Sequence, residues 1–149
     1  MKKEFKGRPV VAGTINSESI VVSTVGFNTL ASFQKSVLEG KKEVLCSDQN
    51  NADLYKKLIS NQVICLPQTI GSTTGGMVLY TAAALGISPK AMLFSQPIDS
   101  LAAAGVILAD IWTDNSIVTV DSLGEEFLNY VKDGMKVSVT TDGTVTVED

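Results

Sequence analysis

Continuous apolar runs alternate with polar, glycine-containing connections along the middle of the chain. Residues 63–67 and 91–94 are almost entirely apolar, and their length is typical of strands that are buried on both faces. Between them, residues 77–85 form a longer apolar segment that ends at Gly86, as expected for a helix with a glycine C-cap. The pattern therefore predicts a β-loop-α-β unit with parallel strands and a right-handed crossover.

The segments before this unit switch between strand and helix patterns. Their predicted elements are strands at residues 8–15 and 19–23 joined by Asn16 and Ser17, a loop at residues 26–29, a helix at residues 29–38 ended by Gly40, and a short strand at residues 43–46. Val and Ile mark the strands, whereas apolar residues at helical spacing mark the helix. Residues 52–60 fit either a helix or an ordered loop.

The segments after the central unit end in a β-hairpin. The predicted elements are a helix at residues 100–108, a strand pair at residues 110–112 and 117–120 around a turn at residues 113–115, a helical turn at residues 124–131, and strands at residues 135–140 and 144–148. Alternating apolar and polar positions on both sides of Thr141-Asp142-Gly143 give a clear hairpin pattern. The chain is thus predicted to be one mixed α/β domain over residues 1–149, with β-rich ends around a parallel centre.

The hydrophobic content and net charge of the chain limit the kinds of molecule that it is expected to bind. A hydrophobic content of 44% is enough for an ordered core, and the net charge of −4 argues against nucleic acid and against anionic membranes as partners. The chain contains no apolar run of transmembrane length, and its first residues lack the apolar core of a signal peptide. A cytoplasmic location is therefore expected.

The chain contains no histidine, which removes the commonest general acid or base near neutral pH. Proton chemistry would have to use a carboxylate, Tyr, Lys, an activated hydroxyl, or groups from another chain. Two cysteines are present without the spacing of a metal site, so no metal ligands are expected in this chain. Cys65 is predicted to be a core residue, whereas Cys46, in a polar loop, is predicted to be the more accessible thiol.

The segment Gly-Ser-Thr-Thr-Gly-Gly at residues 71–76 joins the first strand of the central unit to its helix. The first N–H groups of a helix have no partner within it, and the helix dipole adds partial positive charge, so a carboxylate or phosphate is favoured there. The segment is neither a dinucleotide-binding fingerprint nor a Walker loop, because no Lys follows the glycines. Without further evidence, an ordinary helix N-cap is the favoured explanation of the same residues.

Three stretches together resemble the small subunit of aconitase X, the swivel domain of the aconitase superfamily. They are Gly-Phe-Asn-Thr at residues 26–29, the run around Leu-Pro-Gln-Thr-Ile-Gly-Ser-Thr-Thr-Gly-Gly at residues 66–80, and Ala-Ala-Gly-Val-Ile-Leu-Ala-Asp at residues 103–110. The resemblance extends over residues 7–147. It implies a swivelling β/β/α domain that supplies half of a dehydratase, whose larger subunit carries the metal, iron or an iron–sulfur cluster.

The resemblance also implies roles for individual residues. Ser72 corresponds to the superfamily's substrate-contacting serine, and the implied role is a general base or proton relay. The expected substrate-binding residues are Gly71, Thr73, Thr74, Gly75, Phe27, Asn28 and Thr29. The last three fit a loop over the substrate, although caps in a strand–helix connection are an equal alternative. Arg8 is the only arginine, so the superfamily's substrate-binding arginines are missing.

The family includes dehydratases of 3-hydroxyproline in bacteria and of a phosphorylated mevalonate in archaea. Residues 26–33 and 46–51 of this chain resemble the bacterial branch more closely, which makes cis-3-hydroxy-L-proline the expected substrate and phosphomevalonate the alternative. Asp48, Gln49 and Asn50 fit either the subunit interface or a solvated turn. Asp99 is expected to be a helix N-cap, and Asp110 a turn residue.

Two other classes of protein share part of this sequence pattern. Phosphohistidine swivel domains share a Gly/Thr-rich loop before an apolar helix and a following Leu-Gly-Ile, here residues 85–87, but their chemistry requires a histidine that this chain lacks. A stand-alone anion-binding or interaction module would be a stable monomer that binds a carboxylate or phosphate unaided. Half of an enzyme would instead expose an apolar patch around the Gly71 segment.

Overall fold

The computed structural model describes residues 2–71 and 74–149. Its strands are β1 (Lys2–Lys6), β2 (Arg8–Val11), β3 (Ile15–Val22), β4 (Phe27–Asn28), β5 (Val63–Leu66), β6 (Thr69–Ile70), β7 (Ala91–Phe94), β8 (Val118–Asp121), β9 (Lys136–Val139) and β10 (Thr144–Glu148). Its helices are α1 (Thr29–Glu39), α2 (Gly75–Ala84), α3 (Ser100–Trp112) and α4 (Glu125–Tyr130).

The described residues form one mixed eight-stranded sheet at the centre of the fold. Its strand order is β1-β10-β9-β3-β5-β7-β8-β2. Neighbouring strands from β3 through β5 and β7 to β8 are parallel, whereas β9, β10, β1 and β2 join antiparallel at the two sides. A separate parallel pair joins β4 to β6. The predicted α/β class, the parallel central unit and the C-terminal hairpin are confirmed.

The two central strands are buried on both faces, as their continuous apolar sequence predicts. Ile64 and Met92 pack with α1, α2 and α3 in one core cluster, whereas Val63 and Leu93 pack with Phe127 of α4 in the other. Alternate side chains of each strand point to opposite faces of a sheet, so every position of such strands must be apolar. Helices α1, α2 and α3 thus pack against the same face of the sheet, and their first turns lie at one edge of it.

Several predicted elements are wrong, and tertiary contacts explain why. Asn16 and Ser17 do not connect two strands: β3 runs through them, with a register shift between Ile15 and Glu18 that marks a bulge. Residues 43–46 form no strand beyond an isolated bridge of Leu45 to Leu58, because they pair with the turns of residues 52–60, which are an ordered loop.

The predicted strand at residues 110–112 is instead the last turn of α3. Thr113 ends this helix, with its N–H donating to the carbonyl of Ala109 at 3.1 Å. Strand β8 pairs with β7 and β2, so its edges are already occupied. Asp110 is therefore a helical residue, and its carboxylate accepts a hydrogen bond from the hydroxyl of Ser116 at 2.7 Å.

The helices α2 and α3 cross with their backbones in contact. A Cβ on Gly105 would overlap the carbonyl oxygen of Gly76, and a Cβ on Gly76 would overlap the carbonyl oxygen of Leu101. The obstructing atoms are backbone, so the helices would have to move apart to admit even one methyl group. The close approach fixes the start of α2 against the start of α3.

We expect Gly105→Ala to lower the free energy of unfolding by about 1–3 kcal/mol, because overpacking at this crossing forces a backbone shift. Gly75→Ala is the matched control, since its Cβ would lie at an ordinary 3.7 Å from Cβ of Thr29. Urea unfolding of both variants measures the difference. Equal stability of Gly105→Ala and the wild type would show that the helices do not pack this closely.

Candidate functional site

A groove of about 200 Å³ lies at the carboxyl ends of β5 and β7, where α1, α2 and α3 begin. We call it the Gly71 groove. Its described lining consists of Thr29, Thr69, Ile70, Gly71, Gly75, Gly76, Asp99, Leu101 and Ala102. Ligands of open α/β sheets bind at the carboxyl ends of parallel strands, so this groove is the expected location of a site.

Two sequence-distant stretches meet at the groove through the β4–β6 pair, which aligns Phe27 with Thr69 and Asn28 with Ile70. Gly71 has a φ of +101°, and a Cβ there would lie 2.7 Å from Nδ2 of Asn28. The carboxamide oxygen of Asn28 accepts the N–H of Ala31 at 3.0 Å and so caps α1. The amide nitrogen of Asn28 is thereby held against the backbone of Gly71.

The structure separates the three residues predicted to form a loop over the substrate. Phe27 does not line the groove: it is fully buried and packs edge-on against Phe33, with ring centroids 6.3 Å apart. Thr29 lines the groove but is also buried, beneath Gly75. Strand alternation places Phe27 in the core and turns its neighbour Asn28 away from the core, towards Gly71.

Asp99 is the only ionisable side chain among the described lining residues. It is the N-cap of α3, as predicted, and its Oδ2 accepts the N–H of Ala102 at 3.0 Å. Its Oδ1 accepts a hydrogen bond from the hydroxyl of Thr69, the residue that precedes Ile70 and Gly71. This bond joins the start of α3 to the segment that enters the Gly71 turn, a contact that sequence patterns did not reveal.

Glycines bring the backbone of α2 to the groove. Gly75 and Gly76 lie in the first turn of α2, and both line the groove. The three helix starts together favour an anion, although Asp99 already supplies negative charge at one of them. Ser72 and Thr73 lie outside the described residues, so their catalytic and binding roles stay predictions. Thr74, the exposed residue before α2, borders the gap on the α1 side of this helix.

Arg8 does not line the groove. Its guanidinium forms a two-pronged ion pair with the fully buried Asp121, with Nε 3.0 Å from Oδ1 and Nη2 2.6 Å from Oδ2. Hydrogen bonding to Asp121, reinforced by its charge, raises the pKa of Arg8. The described lining therefore contains no cationic side chain.

Cys46 is not the accessible thiol that its polar surroundings predicted. It is 1% exposed, and its backbone N–H donates to the carbonyl of Lys57 at 2.8 Å. Cys65 is a core residue as predicted, and burial, with a smaller contribution from the charge of Asp133, raises the pKa of its thiol. Neither thiol is available for chemistry at the groove.

We therefore expect both thiols to resist alkylation in the native chain, because both are buried from the reagent and burial also raises the pKa of the Cys65 thiol. Mass spectrometry after iodoacetamide treatment at pH 8 should show no adduct in buffer and two adducts in denaturant. A single rapid adduct in buffer would place one cysteine at the surface.

The segment after Cys46 is an ordered turn. Asp48 is 6% exposed and accepts the N–H of Asn50 at 2.9 Å, while the amide of the buried Asn51 donates to the hydroxyl of Ser23 at 3.0 Å. Gln49 and Asn50 are exposed. The predicted solvated turn is confirmed for Gln49 and Asn50 but is wrong for Asp48, which is buried. A role of these residues at a subunit interface stays a prediction.

The described residues contain no group of three or more Cys, Asp or Glu side chains that could hold a metal ion. With both thiols buried away from the groove, the donor set of these residues does not fit iron or an iron–sulfur cluster. None of the helices formed by the described residues is long and apolar enough to cross a membrane.

Exposed apolar side chains lie in the groove and beside it. Ile70 (50% exposed) and Leu101 (44%) line the groove, and Val25 (47%) is next to the Gly26 that contacts Ile70. Met77, in the first turn of α2, is 61% exposed and lines the adjacent gap between α1 and α2. We call these four residues the apolar rim. Apolar side chains clustered around a groove mark a surface that another molecule covers. Half of an enzyme was predicted to expose an apolar patch around the Gly71 segment, and that the apolar rim meets a partner stays a prediction.

Comparison with known proteins gives consistent matches. A family model described as the aconitase X swivel domain matches residues 4–147. A relative from Aeropyrum pernix, called phosphomevalonate dehydratase small subunit, is 27% identical over 143 residues, which cover 96% of this chain and 92% of the relative. A relative of the same name from Pyrococcus furiosus is 28% identical over 137 residues, 91% of this chain and 88% of the relative.

Solved structures agree with the fold. The crystal structure of Thermococcus kodakaraensis aconitase X in its holo form superimposes with a TM-score of 0.81 at 25% identity, covering 99% of both chains. The solution NMR structure of a UPF0107 protein superimposes with a TM-score of 0.76 at 22% identity, covering 99% of this chain and 100% of the other, which shows the fold alone.

Proposed function

Because this chain belongs to the aconitase X swivel-domain family, we propose that it is the small subunit of a heteromeric hydro-lyase and that it shares an active site at the Gly71 groove with a larger subunit. The apolar rim carries this proposal. Ile70 and Leu101 expose apolar surface at the groove, and Met77 exposes more in the adjacent gap between α1 and α2. Such a surface suits a chain that another subunit covers better than a stand-alone anion-binding module. The names of the relatives support a small-subunit role.

The proposed reaction is a dehydration, in which a proton leaves one carbon and a hydroxyl group leaves its neighbour. Ser72 is proposed to accept or relay the proton, a task that can accelerate a reaction by about 10²- to 10⁴-fold. The backbone of Gly71 and Gly75, the hydroxyls of Thr73 and Thr74, and the amide of Asn28 are proposed to hold the substrate. Thr29 supports the floor of the groove from its buried position.

The metal centre, iron or an iron–sulfur cluster, is proposed to belong to the larger subunit. The described part of this chain does not offer a set of ligands for it. What this chain supplies is a groove formed by backbone amides, hydroxyls and one carboxylate, beside an apolar surface that excludes water once covered.

Phosphomevalonate is the first substrate to test, because both named relatives are phosphomevalonate dehydratase small subunits. These relatives favour it over the hydroxyproline that residues 26–33 and 46–51 suggested. One observation keeps cis-3-hydroxy-L-proline as the second candidate: the described lining has Asp99 and no Lys or Arg. Such a lining suits a substrate with a cationic nitrogen better than one with a phosphate.

The proposal is tested by assaying the purified pair of subunits with phosphomevalonate and with cis-3-hydroxy-L-proline, following water loss by mass spectrometry. We expect turnover of one of the two by the pair and none by either subunit alone. Turnover of neither compound would contradict the proposed substrates, and activity of this chain alone would contradict the shared active site.

A further inference from the structure

One buried carboxylate lies behind the Gly71 groove without lining it. Asp121 ends β8, is fully buried, and receives two hydrogen bonds from Arg8, the only arginine of the chain. Burying a carboxylate is costly unless its oxygens are paired and hydrogen-bonded, so this arrangement is maintained against a large desolvation penalty.

The same carboxylate has a third donor, which leads towards the groove. Oδ2 of Asp121 accepts the backbone N–H of Ile98 at 2.7 Å. Ile98 lies in the connection between β7 and α3, immediately before Asp99. Asp99 in turn caps α3 through Ala102 and accepts the hydroxyl of Thr69. A continuous series of hydrogen bonds and one peptide linkage thus joins the ion pair to both sides of the groove.

An ion pair that only held β2 against β8 would not need this third bond. Arg8 and Asp121 are already opposite each other in the β2–β8 register, which backbone pairing maintains. The Ile98 amide instead fixes the connection that carries Asp99, in a segment where Ser95 and Gln96 are also tied, by their N–H groups, to the carbonyls of Leu66 and Pro67. The position of Asp99 is therefore set from the interior of the protein.

We propose that Asp121, oriented by Arg8, is a positioning residue that sets the α3 side of the Gly71 groove through Ile98 and Asp99, and through Thr69 the approach to Gly71. The inference concerns a residue outside the groove and rests on the proposed function only for its kinetic consequence. We also expect the groove to be displaced when Asp121 is replaced. This structural effect concerns the isolated chain and does not depend on the proposed function.

The first test uses this chain of 149 residues and needs no activity. Amide NMR spectra are recorded for the wild type, for Asp121→Asn, and for the control Asp142→Asn, which removes the exposed pair with Lys6 in the hairpin. For Asp121→Asn we expect shifted amides at Asp99, Ala102 and Thr69, besides those of β2 and β8. For the control we expect no shift at those three residues. Shifts confined to β2 and β8 in Asp121→Asn would overturn the inference.

Arg8→Lys keeps the inference testable if Asp121→Asn does not fold. Its side chain is 65% exposed and a lysine cannot make the two-pronged contact, so the same three amides should shift in a chain that still folds. Unchanged amides at Asp99, Ala102 and Thr69 in Arg8→Lys would equally overturn the inference.

The second test uses the assembled pair of subunits. We expect Asp121→Asn to raise KM about tenfold with kcat within about threefold, because the groove that holds the substrate is displaced while the reacting groups remain. Thr69→Val should raise KM similarly, and the double variant should add little, since both act on one series of contacts. An unchanged KM or additive effects would overturn the inference. An inactive wild-type pair would contradict the proposed function alone, and the NMR spectra would still decide the role of Asp121.

Discussion

Replacing Ser72 by alanine in the assembled pair is expected to lower turnover by about two to four orders of magnitude while the two subunits remain associated. The expected loss is large because the chain has no histidine to take over the proton, and the one ionisable group among the described lining residues, Asp99, is already engaged by Thr69 and Ala102. Steady-state kinetics and size-exclusion chromatography of the same sample measure both quantities.

The matched control for this experiment is Ser116→Ala. Ser116 is exposed, lies beyond the far end of α3, and hydrogen-bonds Asp110 rather than any groove residue. We expect turnover within about twofold of the wild type for this variant, as is usual for surface substitutions. Turnover of Ser72→Ala equal to that of the control would remove Ser72 from the proton-transfer role.

The second large effect is expected from Met77→Glu, which places a charge in the apolar rim. We expect this substitution to weaken association with the larger subunit by about 30-fold or more, equivalent to about 2 kcal/mol, because the carboxylate would be buried without a partner. The chain itself should fold normally, since Met77 is 61% exposed and a negative charge in the first turn of α2 interacts favourably with the helix dipole. Isothermal titration calorimetry measures the affinity.

Leu85→Glu provides a control with the same charge immediately after the last residue of α2. Leu85 is 57% exposed but follows the last turn of α2, at the opposite end from the groove. We expect an affinity within about threefold of the wild type, as for residues outside an interface core. Equal losses in both variants would indicate a nonspecific effect of charge, and no loss in Met77→Glu would place the interface elsewhere.

Local sequence patterns were sufficient for the elements that depend on local chemistry. The continuous apolar runs of β5 and β7 required burial on both faces, and the alternating strands around Thr141-Asp142-Gly143 required a hairpin; both are present. Gly40 ends α1 and Asp99 caps α3, because caps act through hydrogen bonds within one helical turn.

The errors concern residues whose environment is decided by distant segments. Ile111 and Trp112 resemble strand residues in sequence, yet they extend α3 because β8 already has partners on both sides. Cys46 lies in a polar sequence but is covered by the turns of residues 52–60. Phe27 belongs to a stretch that resembles a substrate loop, but strand alternation buries it and leaves only Asn28 beside Gly71.

The position of the groove could be predicted from the sequence, but the contacts between its lining residues could not. A glycine-rich segment between a buried strand and a helix locates a ligand site at the carboxyl ends of the strands. The Thr69–Asp99 bond and the ion pair of Asp121 with Arg8 join residues 30 and 113 positions apart, and a single sequence carries no sign of such pairs. The residues of both pairs become neighbours only when the chain is folded.

The central claim, that this chain is half of a hydro-lyase, is tested most directly by purifying it from its native cell and assaying the product for dehydration of phosphomevalonate and cis-3-hydroxy-L-proline. The account predicts that a larger, iron-containing protein co-purifies in a fixed ratio and that activity is present in the pair and absent from either chain alone. Isolation as a monomer that binds a carboxylate or phosphate without a partner would contradict it.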